Sequence, residues 1–292
     1  IIKMELIMKR SLPIKLFNLF CILVSSFAIL NINKATALGG YLSFKAPTNT
    51  PSQFDELDFF FRMIKNPGPL SYMYYAHNFA INSSNTTEEQ LGGYIGPQLV
   101  SNANNRRTSA IVSVWSNRPD RVISYFAGPE SKCTIEHGGP ESQTGWLIQC
   151  AINDNSKFAQ TDMPDGTTYK IVIKNVNQNN LAAAEESFEF SIQNLVTKEV
   201  TVLGTMTFSN VKGINPLAPS HFLENFAGGY DCQTVPYLAY SEDAPIGIRN
   251  NKKYTYTVEK YPTAPFDCHS NLAFSENNSS AIVEYAIKGG EH

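Results

Sequence analysis

The sequence lacks the short motifs that identify several common enzyme classes. It contains no Gly-x-Ser-x-Gly elbow, no P-loop, no dinucleotide fingerprint and no His-Glu-x-x-His zinc motif. It also has no internal repeat of fixed period, which argues against solenoids and propellers. The sequence motifs therefore assign no reaction to this chain.

Cysteine is scarce, with five residues in the chain, and no Cys-x-x-Cys spacing is present. This argues against a structural zinc site. Cys21 lies in an apolar N-terminal segment, which leaves Cys133, Cys150, Cys232 and Cys268. An even number of cysteines suits an exported protein with two disulfides. Three pairings are open, of which Cys133 with Cys150 and Cys232 with Cys268 are the local ones.

No apolar run is long enough for a typical membrane-spanning helix, but residues Met8 to Ala37 have the pattern of a signal peptide. Lys9 and Arg10 precede the apolar core Leu16 to Leu30, and Ala35 to Ala37 offer a small-x-small cleavage site. The core is shorter than the ~20 residues that cross a bilayer. We expect cleavage near Ala37, a secreted or periplasmic location, and no transmembrane segment in the mature chain.

Basic charge is also sparse in the predicted mature chain. Residues 1–37 contain five of the 23 basic residues and one of the 26 acidic residues, so 18 basic and 25 acidic residues remain and the net charge is −7. No basic cluster larger than Arg106-Arg107 remains. This balance argues against nucleic acid or an anionic membrane as a partner.

Helical periodicity is thin, whereas alternation of apolar and polar residues recurs along the chain. In Ser187 to Gln193 every second residue is apolar, which predicts a strand with one buried face. Many such segments without intervening helices predict an all-β, antiparallel β-sandwich. Gly and two prolines between Lys212 and Pro219 suggest a β-sandwich domain at 38–212. The β-rich extension at 213–292 either completes that sandwich or forms a small appendage stapled by the last two cysteines.

Four stretches also occur in an order typical of one family of exported proteins. They are Tyr72 to Phe79 (YMYYAHNF), Gly92 to Gln98 (GGYIGPQ), Ala110 to Ser116 (AIVSVWS) and Gly138 to Gly145 (GGPESQTG). Together they resemble the secreted family known as domain of unknown function 3472, over roughly residues 40 to 210. The resemblance implies a jelly-roll or concanavalin-like sandwich, often in carbohydrate-related settings, and no established reaction.

Aromatic and amide side chains near the glycine-rich turn are the best candidates for a ligand site. Tyr74, His77, Tyr94 and Gln98 are predicted to bind a sugar, the rings by stacking and the polar groups by hydrogen bonds to hydroxyls. An ordinary tyrosine-rich face of the sandwich is the alternative interpretation.

The two tryptophans of the chain have a different expected place. Trp115 and Trp146 each lie in an alternating segment, where an aromatic side chain usually faces the core. We therefore predict that both are core residues and not stacking platforms.

Catalytic and metal candidates are weaker. Glu141, in a glycine-rich turn, is a candidate general acid or base, and His77 and Arg106 are further catalytic candidates. No second carboxylate can be assigned to form the pair that a glycosidase needs. Another cluster of acidic residues, Asp154, Asp162 and Asp165, suggests calcium but lacks the ordered spacing of a calcium loop. We expect no metal and no cofactor.

These observations predict a protein that binds a glycan at a cell surface. A polysaccharide lyase or glycoside hydrolase and an adhesive or structural surface protein are the competing classes. Convergence of His77, Tyr94, Arg106 and Glu141 at one concave site would favour an enzyme. A shallow aromatic platform would favour a binding protein.

Overall fold

The computed structural model describes residues 42–68, 71–85, 89–100, 108–137, 145–176, 185–226, 236–260 and 270–285. These residues form eighteen strands, with a short helix α1 at Lys157–Gln160 and a 3-10 turn at Pro119–Arg121. The strands are β1 (Leu42–Lys45), β2 (Glu56–Lys65), β3 (Met73–Ser83), β4 (Leu91–Leu99), β5 (Thr108–Ser116), β6 (Val122–Ala127), β7 (Ser131–His137), β8 (Trp146–Ile152), β9 (Thr168–Asn175), β10 (Glu185–Asn194), β11 (Val200–Ser209), β12 (Val211–Ile214), β13 (Ser220–Asn225), β14 (Leu238–Arg249), β15 (Lys252–Thr255), β16 (Thr257–Lys260), β17 (Ser270–Phe274) and β18 (Ser280–Tyr285).

The strands form two nine-stranded antiparallel sheets. The front sheet has the order β16-β1-β13-β3-β4-β5-β8-β7, with β12 paired to β3. The back sheet has the order β17-β18-β14-β2-β9-β10-β11-β6, with β15 paired to β14. The two sheets form a sandwich, which confirms the predicted fold class.

The core lies between the sheets and is rich in aromatic side chains. Strand alternation sends one set of side chains from each sheet into this layer. Phe61 of the back sheet contacts Tyr75 of the front sheet, with ring centroids 4.7 Å apart, and Phe79 contacts Phe190 at 5.5 Å. Burying each such ring contributes on the order of 1.5–3 kcal/mol to folding. These contacts hold the front sheet firmly against the back sheet.

The chain beyond residue 212 contributes strands to both sheets. Strand β13 lies between β1 and β3 in the front sheet, and β14 pairs with β2 in the back sheet. The described C-terminal strands therefore share the core of the sandwich.

A disulfide joins Cys133 of β7 to Cys150 of β8. The two residues lie directly opposite each other in the antiparallel register. This confirms one of the two predicted local pairs. The other predicted pair, Cys232 and Cys268, lies outside the described residues.

The predicted signal peptide at residues 8–37 also lies outside the described ranges. Among the helices of the described part of the chain, none has the length and apolar character needed to cross a membrane. The predictions of export and cleavage stay predictions.

Candidate functional site

The outer face of the front sheet, which points away from the back sheet, carries four neighbouring aromatic side chains. We call Tyr74, Tyr94, Trp115 and Phe222 the aromatic cluster. Tyr94 is at its centre, with ring centroids 4.6 Å from Trp115, 5.3 Å from Tyr74 and 6.1 Å from Phe222. These distances are typical of favourable aromatic pairs. The cluster spans four adjacent strands, β13, β3, β4 and β5.

Strand alternation explains why these rings point outward. Their chain neighbours Tyr75, Ile95, Val114 and Leu223 belong to the buried core between the sheets. Since successive side chains of a strand point to opposite faces, the residue before or after each of these core residues lies on the outer face. Gly92 lies opposite Trp115 in the register and leaves open space beside it.

A row of polar groups crosses the same face at the level of Tyr94. Its members occupy directly opposed positions on six strands: Ser220, Asn78, Tyr94, Ser113, Gln149 and Thr134. Asn78 Nδ2 donates to Ser220 Oγ at 2.9 Å, and Gln149 Nε2 donates to Ser113 Oγ at 3.1 Å. Amide and hydroxyl groups are thus held in line on a rigid sheet.

The row leads into a groove at the β7–β8 side of the sheet. The groove has a volume of about 540 Å³ and shares Thr134 and Gln149 with the polar row. Its size lies within the ~300–1,000 Å³ range of ligand pockets. Its lining is mostly polar and consists of Lys132, Thr134, Gln149, Ala151, Ile152, Asn153, Asp154 and Asn155.

The structure brings three of the four predicted sugar-binding residues onto one face. Tyr74, Tyr94 and Gln98 lie on the outer face, and Gln98 is directly opposite Tyr74 in the register. Tyr74 is only 2% exposed, and its hydroxyl has no hydrogen-bond partner. Burial, with Tyr94 and Glu224 adding to it, raises the pKa of Tyr74 well above its usual value. Tyr94 and Gln98 are the more accessible members.

His77 does not belong to this surface. It is fully buried and lies between the sheets, where its ring centroid is 4.9 Å from that of Phe59 on the back sheet. The prediction that it hydrogen-bonds a ligand beside Tyr94 is therefore wrong, because the two side chains leave opposite faces of the front sheet. In the motif YMYYAHNF, inward and outward residues alternate but almost all of them are buried. The residue types therefore do not indicate which face of the sheet each side chain points to.

The expected core position of Trp115 is also wrong. Trp115 is partly exposed on the outer face. Trp146 is also partly exposed, and its ring lies against that of His137 with centroids 4.5 Å apart. The signal that finds Trp115 is in the sequence TSAIVSVWS. Its inward set is the apolar Ala110, Val112 and Val114, so Trp115 belongs to the outward set with two serines.

A second arrangement of polar groups lies inside the sandwich. His77 of β3, His221 of β13 and Glu242 of β14 are each fully buried, and we call them the buried triad. One potential ligand atom from each lies within 4.8 Å of the others. Sequence reasoning missed His221 and Glu242. They lie far from His77 along the chain, Glu242 by 165 residues, and no motif links them.

Hydrogen bonds fix the orientation of His77. Its Nδ1 is 3.3 Å from the carbonyl oxygen of Ile95, and its Nε2 is 3.1 Å from both carboxylate oxygens of Glu242. A carbonyl oxygen only accepts, so Nδ1 carries a hydrogen. Burial raises the pKa of Glu242, and the neighbouring His77 opposes this effect.

His221 is held from its other side. Its Nε2 is 2.9 Å from the hydroxyl of Tyr240, and its Nδ1 is 3.4 Å from Glu242 Oε1 without hydrogen-bond geometry. Burial and the nearby His77 lower the pKa of His221 well below its usual value, although the backbone of Ala76 acts in the opposite direction. A neutral imidazole with one unsatisfied nitrogen therefore faces the carboxylate.

The structure separates two members of the predicted catalytic constellation. Glu141 and Arg106 lie outside the described residues. His77 and Tyr94 lie on opposite faces of the front sheet, so these two residues do not share a concave site.

The three predicted calcium ligands have different surroundings in the structure. Asp165 accepts from the backbone of Asn66 and pairs with Lys65, whereas Asp154 lines the groove and Asp162 lines a different pocket. In the described ranges, the three side chains that lie close enough together to share a metal ion are those of the buried triad.

No family model matches the chain, and no curated protein is detectably similar to it. The resemblance to the family of domain of unknown function 3472 stays a prediction.

Proposed function

We propose that this protein is exported and binds a glycan on the outer face of its front sheet. The observation that carries the proposal is the contact between Tyr94 and Trp115 on a partly exposed sheet face, beside an ordered row of amide and hydroxyl groups. Aromatic rings offer an apolar surface to the C–H face of a sugar. Amides and hydroxyls match its hydroxyl groups.

The geometry also favours an elongated ligand. The aromatic cluster lies on β13, β3, β4 and β5, and the groove lies beyond it on β7 and β8. Adjacent strands are ~4.8 Å apart, so the distance from β3 to β7 is on the order of 20 Å. We therefore propose that a chain of several sugar units lies across the strands, with one end over Tyr94 and Trp115 and the other in the groove.

Binding is favoured over hydrolysis by the charges of the groove. Among the described residues that line it, Asp154 is the one carboxylate. A glycosidase of the usual kind places two carboxyl groups on either side of the scissile bond. A rigid sheet with aromatic and amide groups suits recognition without bond cleavage.

The test begins with the wild-type protein on an array of neutral and acidic oligosaccharides, followed by titration calorimetry with the best ligand. Replacing Trp115 or Tyr94 with Ala should weaken binding by about 1 to 3 kcal/mol, or roughly 5- to 150-fold. Gln149→Ala should weaken the binding of longer oligosaccharides more than that of short ones. Phe126→Ala is the matched control, since Phe126 is 61% exposed on the back sheet.

Melting curves of all variants accompany the binding data. Tyr94→Ala should melt close to the wild-type temperature if its ring serves the ligand, whereas loss of a packed core ring costs several kcal/mol. The proposal fails if the wild type binds no glycan. It also fails if Phe126→Ala lowers affinity as much as Trp115→Ala does.

A further inference from the structure

We infer that His77, His221 and Glu242 bind a divalent transition-metal ion of the zinc class, which ties the two sheets together. Two imidazoles and a carboxylate are a ligand set that zinc and related ions prefer. All three side chains are fully buried and their ligand atoms lie within 4.8 Å of one another. The site is independent of the glycan surface, which uses the opposite face of the front sheet.

The hydrogen bonds around the triad direct lone pairs into its centre. The Ile95 carbonyl requires hydrogen on Nδ1 of His77, which leaves the Nε2 lone pair facing Glu242. The hydroxyl of Tyr240 is 2.9 Å from Nε2 of His221, and in the tautomer in which Nε2 carries the hydrogen the Nδ1 lone pair faces Glu242 Oε1. Metal-binding histidines are commonly oriented in this way by a partner on the other ring nitrogen.

Without a cation, the centre of the triad is electrostatically unfavourable. Two nitrogen lone pairs and a carboxylate face one another in a buried layer, where unpaired polar groups are costly. One shared proton satisfies the contact between His77 Nε2 and Glu242 at 3.1 Å. It leaves His221 Nδ1 without a hydrogen-bond partner. A metal ion satisfies all three groups together.

The position of the ligands indicates a structural role. His77 and His221 lie side by side on β3 and β13 of the front sheet, and Glu242 lies on β14 of the back sheet. A metal held by all three joins the sheets at the centre of the core. Because the site is completely buried, a substrate cannot reach the ion. An ion that binds only the folded state stabilises that state by mass action.

The competing explanation is a polar core network that holds a proton and no metal. Titration of the metal-free protein with Zn²⁺ distinguishes the two explanations. The full chain is stripped with a chelator, dialysed and titrated with Zn²⁺ by calorimetry, and its melting temperature is recorded with and without the ion. We expect one Zn²⁺ per chain and a melting temperature that rises with Zn²⁺ concentration.

Variants assign the binding to the triad. His221→Phe and Glu242→Gln should abolish tight Zn²⁺ binding, and Tyr240→Phe, which removes only the outer hydroxyl, should weaken it by about 10- to 100-fold. His137→Ala is the matched control, because His137 is an exposed histidine on β7 and should leave binding unchanged.

The proposal does not depend on whether the triad variants fold. Nitrogen NMR of the wild type should show Zn²⁺ shifting the Nε2 resonance of His77 and the Nδ1 resonance of His221. Absence of saturable Zn²⁺ binding by the wild type would overturn the inference. Equal binding by wild type and folded His221→Phe, or loss of binding in His137→Ala, would overturn it as well.

Discussion

His77 and Glu242 lie on different sheets, and Nε2 of the histidine is 3.1 Å from both carboxylate oxygens of the glutamate. Both side chains are fully buried. In such surroundings each polar group depends on the other, because a fully buried group has no access to solvent that could replace a lost partner. The pair therefore couples the two sheets in the middle of the core.

This coupling is measurable in metal-free protein. His77→Leu or Glu242→Leu alone should lower the free energy of unfolding by about 3–5 kcal/mol, since each leaves its partner buried and unpaired. The double variant should lose clearly less than the sum of the single losses. Urea unfolding in the presence of a chelator provides all four values. Simple additivity of the two changes would show that the contact contributes no coupling.

Protonation of a buried carboxylate of the back sheet should stabilise the folded protein at acid pH. Asp58 on β2 contacts Lys170 at 2.8 Å and lies beside Glu56. Burial raises the pKa of Asp58 to about 6, against the opposing effect of Lys170. The folded state then holds this proton more tightly than the unfolded chain. The stabilisation by protonated Asp58 is therefore fully present below about pH 4 and is lost as the pH rises through about 6.

Asp58→Asn should remove this dependence. The difference in unfolding free energy between variant and wild type should change by about 2–3 kcal/mol between pH 4 and 7, at ~1.4 kcal/mol per pKa unit. The comparison is made as a difference because burial also raises the pKa of Glu186 and Asp243, which both proteins retain. Parallel curves for the two proteins would contradict the prediction.

His221 should make the protein less stable as the pH falls, the opposite of the effect of Asp58. Its pKa in the folded protein is lowered well below the usual value, chiefly by burial. The unfolded chain therefore takes up this proton first, and the stability that comes from a neutral His221 is lost as the pH falls below about 6.5. In chelator-treated protein, His221→Phe should lose less stability than the wild type between pH 7 and 5. An equal loss in both proteins would exclude this role for His221.

Strands with one solvent-facing side were predictable from the sequence. The segment Ser187 to Gln193 alternates cleanly and lies within β10, and the alternating segment Val200 to Phe208 matches β11 to within one residue. Strand β3 lacks such alternation because the side chains on both of its faces are largely buried, including nearly all of its first nine residues. A period of two disappears from the sequence when both faces are apolar.

The candidate sites were predictable only in part. Tyr74, Tyr94 and Gln98 could be grouped because β3 and β4 are consecutive antiparallel strands. His77 meets His221 and Glu242 only because β13 pairs with β3 in the front sheet and Glu242 of β14 contacts both histidines from the back sheet. These pairings join parts of the chain more than 140 residues apart, Asn78 and Ser220 among them, and local patterns do not encode them.

The disulfide should make a substantial contribution to stability. Cys133 and Cys150 are 17 residues apart in sequence. A crosslink that closes a loop of this length adds about 3 kcal/mol in the chain-entropy description. The double variant Cys133→Ser, Cys150→Ser should lower the unfolding free energy by that order, and reduction of the wild type should reproduce most of the loss. Unchanged urea midpoints for the double variant would refute this.

Gly204 on β11 is required by the packing around this disulfide. A Cβ atom at that position would lie 2.7 Å from Cys150 Sγ and 2.9 Å from the carbonyl oxygen of Phe126. Since the carbonyl belongs to the paired strand β6, it cannot move without disturbing the back sheet. Gly204→Ala should therefore destabilise the protein by about 1–3 kcal/mol, the usual effect of overpacking. Gly92→Ala is the matched control, because nothing lies within 4 Å of a Cβ atom there. Melting curves of the two variants should differ clearly, with Gly92→Ala close to the wild type, and a Gly204→Ala protein as stable as the wild type would show that the strands around the disulfide can separate to admit a methyl group.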